Sequence, residues 1–135
     1  MCIKTWVVTL RYFFYKYEKY LNAKKGYNFP DIVWSQIWKS GLNETIEHIY
    51  PQTPNSKCKK LPENYKHRLG NLVIVTPEIN SEANNKSFSE KIEIYNKENR
   101  LLCLQKIITE YQNWDTVDIE RREKELIDWA LSEWN

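Results

Sequence analysis

Apolar residues recur at spacings of three and four over the first 25 positions. Trp6, Leu10, Phe13, Tyr17 and Leu21 fall on one stripe, which predicts a helix over residues 5–24 with Gly26 as its stop. Ile32, Trp34, Ile37 and Trp38 predict a shorter helix ending near Gly41. Residues 44–50 (ETIEHIY) then read as a strand, closed by Pro51, which has no N–H for a ladder. A polar stretch rich in Pro, Lys and Asn runs to about residue 67. Residues 71–75 (NLVIV), apolar and largely β-branched, predict a second strand. Thr76-Pro77-Glu78 is a helix start: Thr suits the N-cap, Pro the first helical position and Glu the first turn. The helix from Pro77 carries Ile79, Asn80, Ala83 and Asn84. Phe88, Ile92 and Tyr95 form a further helical stripe, and Leu101, Leu104, Ile108 and Tyr111 another. A last helix from about residue 116 turns Ile119, Leu126, Ala130 and Trp134 inward. The expected fold class is α+β, mainly helical. A strand–loop–strand–helix unit at about 44–87 sits within flanking helices at 5–40 and 88–134.

Length and composition narrow this picture. With 135 residues, one domain over 1–135 is expected, and 41% hydrophobic residues can form a core without disulfides. Cys2, Cys58 and Cys103 are far apart and form no Cys-x-x-Cys pair, which speaks against a thiolate zinc site and for a reducing, cytoplasmic setting. Arg11 and Lys16 interrupt the apolar N-terminal stretch, so neither a signal peptide nor a membrane span is expected. The net charge of +2 carries no argument for nucleic-acid binding. Local basic groups exist at Lys57, Lys59 and Lys60 and at Lys66, His67 and Arg68, and their plain reading is a solvated loop.

Four polar residues change the reading. Glu47 and His48 lie in the first strand, Asn71 in the second and Asn80 on the following helix. If the strands pair and the helix folds back, the four can converge. Phosphodiester hydrolysis needs a base for water and a cation for the phosphate and leaving oxygen. His suits the first task near neutral pH. Carboxylate and amide oxygens are hard ligands that suit Mg²⁺. Alternation along a strand, however, sends Glu47 and His48 to opposite faces. They are therefore expected to flank a phosphate, not to ligate one ion together.

Glu47-His48-Ile49-Tyr50-Pro51, Asn71-Leu72 and Asn80, nine residues after Asn71, resemble the HNH (ββα-metal) endonuclease superfamily. His67-Arg68-Leu69-Gly70-Asn71-Leu72 and Asn80…Asn84-Asn85-Lys86…Phe88…Lys91 resemble more narrowly the HxxP-type nuclease domain at the C-terminus of GmrSD-type modification-dependent restriction enzymes. Tyr12-Phe13-Phe14…Tyr17-Glu18…Leu21 before the motif, and Trp114, Ile119, Arg122, Leu126, Ala130 and Trp134 after it, extend the likeness over nearly the whole chain.

The resemblance implies a metal-dependent DNA endonuclease of restriction or phage defence, using Mg²⁺ or Mn²⁺. By it, His48 is the general base, Glu47 and Asn80 are metal ligands, and Asn84 is an additional ligand or a phosphate contact. Asn71 orients His48 or ties the hairpin. His67, Arg68 and Lys86 are phosphate contacts, which position nucleic acid without reading its sequence. The implied partners are DNA and an N-terminal ParB-like domain or partner chain outside this sequence. The rival expectation is a nuclease fold that binds nucleic acid or a partner without cutting.

Overall fold

The computed structural model describes residues 3–134, so Cys2 lies outside it. Six helices frame one small sheet: α1 (Ile3–Lys25), α2 (Asp31–Lys39), β1 (Ile46–His48), β2 (Leu72–Ile74), α3 (Pro77–Ala83), α4 (Phe88–Tyr95), α5 (Leu102–Glu110) and α6 (Thr116–Glu133). The fold is α+β and mainly helical, as the periodicity predicts. No helix among the described residues is long and apolar enough to cross a membrane.

The strands are shorter than the apolar runs suggest. Residues 42–45 form a 3₁₀ turn, and only Ile46, Glu47 and His48 enter the strand. They pair antiparallel in the register Ile46↔Ile74, Glu47↔Val73 and His48↔Leu72. Ile49 N–H donates to Asn71 O at 2.9 Å, and Val75 N–H to Thr45 O at 2.9 Å, which extends the contact at both ends.

On α1 the buried stripe is Val7, Leu10, Phe14, Tyr17 and Leu21, one step from the expected phase. Trp6 is 38% exposed and Phe13 is only partly buried. Adjacent aromatics at 13 and 14 make both phases apolar, so the pattern cannot separate them. On α2, Ile32 and Trp38 are exposed while Val33, Trp34 and Ile37 are buried. On α4 it is Ile94 beside Tyr95, not Ile92, that turns fully inward. On α6 the inward residues are Ile119, Arg122, Leu126 and Trp129. Trp134 is half-exposed, and its ring lies against Trp129 and Phe13.

Two buried charges fix the frame. Leu101 stands at the N-cap of α5 and has no side-chain acceptor. Glu18, fully buried on α1, takes that role: its oxygens accept from Leu102 and Cys103 N–H, each at 2.9 Å. Arg11, also on α1, donates to Thr45 Oγ1 and to the carbonyls of Ser40 and Gly41. It thereby fastens the chain immediately before β1 to the long helix.

Candidate active site

β1 ends at His48, and Pro51 sends the chain into the long excursion that returns at Leu72. Three contacts discipline that excursion. Tyr50 Oη accepts from Leu61 N–H at 3.1 Å. Lys66 Nζ donates to Gln52 O and to Glu63 Oε1, both at 2.7 Å. Asn71, fully buried, closes the loop through its side chain. Its Oδ1 accepts from Tyr50 N–H at 2.8 Å and from Trp114 Nε1–H at 2.9 Å. Its Nδ2 donates to Tyr50 O at 3.0 Å and Lys66 O at 2.9 Å.

This closure lays His67 against His48. The two rings stand nearly perpendicular, at 86°, with His48 Nε2 and His67 Nδ1 3.2 Å apart. Gln52 Nε2 lies 3.0 Å from the same His48 nitrogen. An amide NH₂ can only donate, so His48 Nε2 is an acceptor and the proton of the neutral ring is on Nδ1. Burial, His67 and Lys91 pull the His48 pKa down to about 4. The ring is therefore neutral at pH 7, and its single Nε2 lone pair faces Gln52 Nε2 and His67 Nδ1.

One cleft of about 760 Å³ gathers Glu47 and His48 from β1, Gln52, Thr53 and His67 from the loop, and Asn80, Ser81 and Asn84 from α3 and its end. Trp6, Val7 and Leu10 of α1 form its apolar wall. Five of the expected site residues thus border one space: Glu47, His48, His67, Asn80 and Asn84. Asn71 does not border it and makes no bond to the His48 ring. Arg68 turns to α6, where it pairs with Glu123 and lies 3.6 Å from Glu120. Lys86 Nζ donates to Glu82 O at 2.7 Å, outside the cleft lining.

Glu47 and His48 diverge as strand alternation requires. Glu47 is 2% exposed and His48 is half-buried. Glu47 Oε2 lies 2.9 Å from Lys91 Nζ and accepts from the Tyr95 hydroxyl. Burial raises the Glu47 carboxyl above its ordinary range, opposed by Lys91 and Tyr95, and the same burial lowers Lys91. Glu47 Oε1 accepts no hydrogen bond among the described residues.

The oxygen donors suit a hard dication. Asn80 Nδ2 donates to Glu44 O at 3.0 Å, which fixes the amide and leaves Oδ1 with no donor among the described residues. Glu47 Oε1 is in the same condition. Asn84 closes α3 with φ 40°, a positive value that Asn tolerates better than most residues, and its side chain stands on the cleft rim. No group of three or more His, Cys, Asp or Glu that could hold a metal occurs among the described residues. One carboxylate with amides and water is, however, a usual environment for Mg²⁺, which keeps much of its hydration.

Gln52 and Tyr95 carry no role in the motif reading, and Lys91 belongs to the motif without an assigned role. Gln52 could have been found, since it directly follows Pro51. Tyr95 reads as one more apolar position of a helical stripe.

The sequence matches the family described as GmrSD restriction endonucleases, C-terminal domain, over residues 2–129. Among curated proteins and among solved structures, nothing matches.

Proposed function

The chain belongs to the C-terminal domain family of the GmrSD restriction endonucleases, and from that premise we propose that it is a metal-dependent HNH-type endonuclease that hydrolyses DNA phosphodiester bonds in restriction or phage defence. The observation that carries the reading is the cleft itself. His48, a neutral imidazole, borders one space with Glu47 and Asn80, two oxygen-bearing side chains on a β-hairpin and the helix after it.

In this reading the attacking water displaces the Gln52 amide from His48 Nε2 and gives that nitrogen its proton. Burial, His67 and Lys91 set the low pKa of His48; a phosphate would bring negative charge, which favours the protonated ring and raises its basicity. Gln52 and His67 hold the ring in the tautomer that accepts. Glu47 and Asn80, with Asn84, would hold Mg²⁺ or Mn²⁺, which supplies Lewis-acid stabilisation of the phosphate and leaving oxygen. Asn71 serves by holding the loop that carries Gln52 and His67. DNA is the substrate. His67 is a phosphate contact as well as a neighbour of the base, while Arg68 and Lys86 reach phosphate only outside the cleft.

The test is cleavage of plasmid and linear DNA with Mg²⁺ or Mn²⁺, by the wild type and by His48→Ala. The variant is expected to lose about 10²–10⁴-fold in rate at unchanged thermal stability. Equal cleavage by the variant would remove His48 from the chemistry.

A further inference from the structure

We propose that Lys91, with Tyr95, is a positioning device for this reaction: a buried ammonium that ties the Glu47 carboxylate and the His48 main chain to one point beneath the sheet. The inference rests on the endonuclease reading above and deepens it.

Lys91 is 0% exposed, which is rare for lysine unless it is paired. Its Nζ donates to His48 O at 2.6 Å and lies 2.9 Å from Glu47 Oε2. Tyr95 follows one turn later on α4, is also fully buried, and donates to the same Oε2. Both donors act on one oxygen of the carboxylate. The other oxygen, on a side chain that borders the cleft, is left for a ligand.

The arrangement answers a need that β1 cannot meet. Successive strand residues leave on opposite faces. Nothing within a three-residue strand fixes the carboxylate of Glu47 relative to the imidazole of His48. Lys91 contacts Glu47 at its carboxylate and His48 at its main-chain carbonyl. The helix that carries Lys91 is itself anchored: Ser87 and Glu90 form a capping box at its start, and Lys91 N–H donates to Ser87 O at 2.9 Å.

Stability alone gives little reason for such a pair. A buried ion pair is commonly no more stabilising than apolar residues of the same volume, because both charges lose their water. What Lys91 supplies that a methionine could not is direction: one donor on a carboxylate oxygen and one on a main-chain carbonyl. Groups behind a metal ligand act in this way by orienting it.

The experiment compares wild type, Lys91→Met and Tyr95→Phe. Four quantities are read: folded fraction by circular dichroism, Mn²⁺ affinity by electron paramagnetic resonance, DNA affinity without metal, and kcat against KM in DNA cleavage. Lys91→Met is expected to lose about 10–100-fold in Mn²⁺ affinity and in kcat per folded molecule. DNA affinity without metal and KM stay near wild type. Tyr95→Phe, which keeps the ring and removes one donor, is expected to move the same two quantities by a smaller factor. Wild-type Mn²⁺ affinity and kcat in the folded variants overturn the inference and leave the endonuclease reading standing. A loss of activity that only tracks the folded fraction overturns it also. If Lys91→Met does not fold, Tyr95→Phe decides by the same two quantities. Failure of the wild type to cut DNA with any divalent metal sinks the endonuclease reading, and this inference with it.

Discussion

Asn71 uses every hydrogen-bonding site it has, two donors and two acceptors, on groups that burial hides from water. Truncating it strands Tyr50 N–H, Tyr50 O, Lys66 O and Trp114 Nε1–H at once. Each stranded buried group costs about 1–3 kcal/mol, and relaxation recovers part of the sum. Asn71→Ala is therefore expected to lower the unfolding free energy by at least about 3 kcal/mol in urea titration. Asn71→Asp keeps the acceptor for Tyr50 and Trp114 and is expected to fall between. A stable but inactive Asn71→Ala would contradict this and return Asn71 to the chemistry. The residue's place directly after Gly70 was legible in the sequence, which put it inside the second strand, whereas it ends the turn just before β2. Its work was not, because Trp114 lies 43 residues away and no local pattern names it. Glu47 shows the same limit. Its strand and its alternation from His48 could be read, but Lys91 and Tyr95 become its partners only when α4 packs beneath β1.

At the scale of elements, the hairpin is held to the rest of the molecule by α6. Arg122, buried among aromatics, donates through Nη1 to Gly70 O and Leu72 O, both at 2.8 Å. Glu123 accepts from Gly70 N–H and from Arg68. So close an approach leaves no room for a side chain at residue 70. A Cβ there would meet Ile119 O at 2.1 Å and Glu123 Cβ at 2.8 Å. Backbone stands in the way, and rotamer changes cannot relieve it. Gly70→Ala is expected to push α6 off the hairpin and cost more than the about 1–3 kcal/mol of ordinary overpacking. Thermal denaturation measures it, and a melting temperature within two degrees or so of wild type would show that α6 yields freely. The order and type of the elements were legible because their apolar periods are clear. The buried phase of α1 and α6 was not. Aromatics crowd both faces of α1, and on α6 the guanidinium of Arg122 lies inside while Trp134 is half-exposed.

Over the whole molecule, charge is nearly balanced and locally paired. Of 20 basic and 18 acidic residues, many meet across the surface: Lys59 with Asp115, Arg68 with Glu123, Lys97 with Glu82, Arg100 with Glu98, Lys106 with Glu110 and Lys124 with Asp128. The residues that line the candidate cleft include no Lys or Arg among those described. In the proposed reading a phosphate there would meet imidazoles, amides and a dication, not a cationic track. Affinity for DNA by counterion release should then be small. For one or two neutralised phosphates, log affinity falls against log salt with a slope of about −1 to −2. Binding of the His48→Ala protein to duplex DNA, followed by fluorescence anisotropy, is expected to weaken only about 4- to 16-fold between 50 and 200 mM salt. A domain that grips six or more phosphates would lose about a thousandfold over the same range. A slope steeper than about −5 would mean that the surface lysines leave their carboxylates for DNA, and the balanced charge would then misreport the interface. A shallow slope places the work of this domain in the chemistry of one phosphate, with tight DNA binding left to cationic surface that the cleft does not provide.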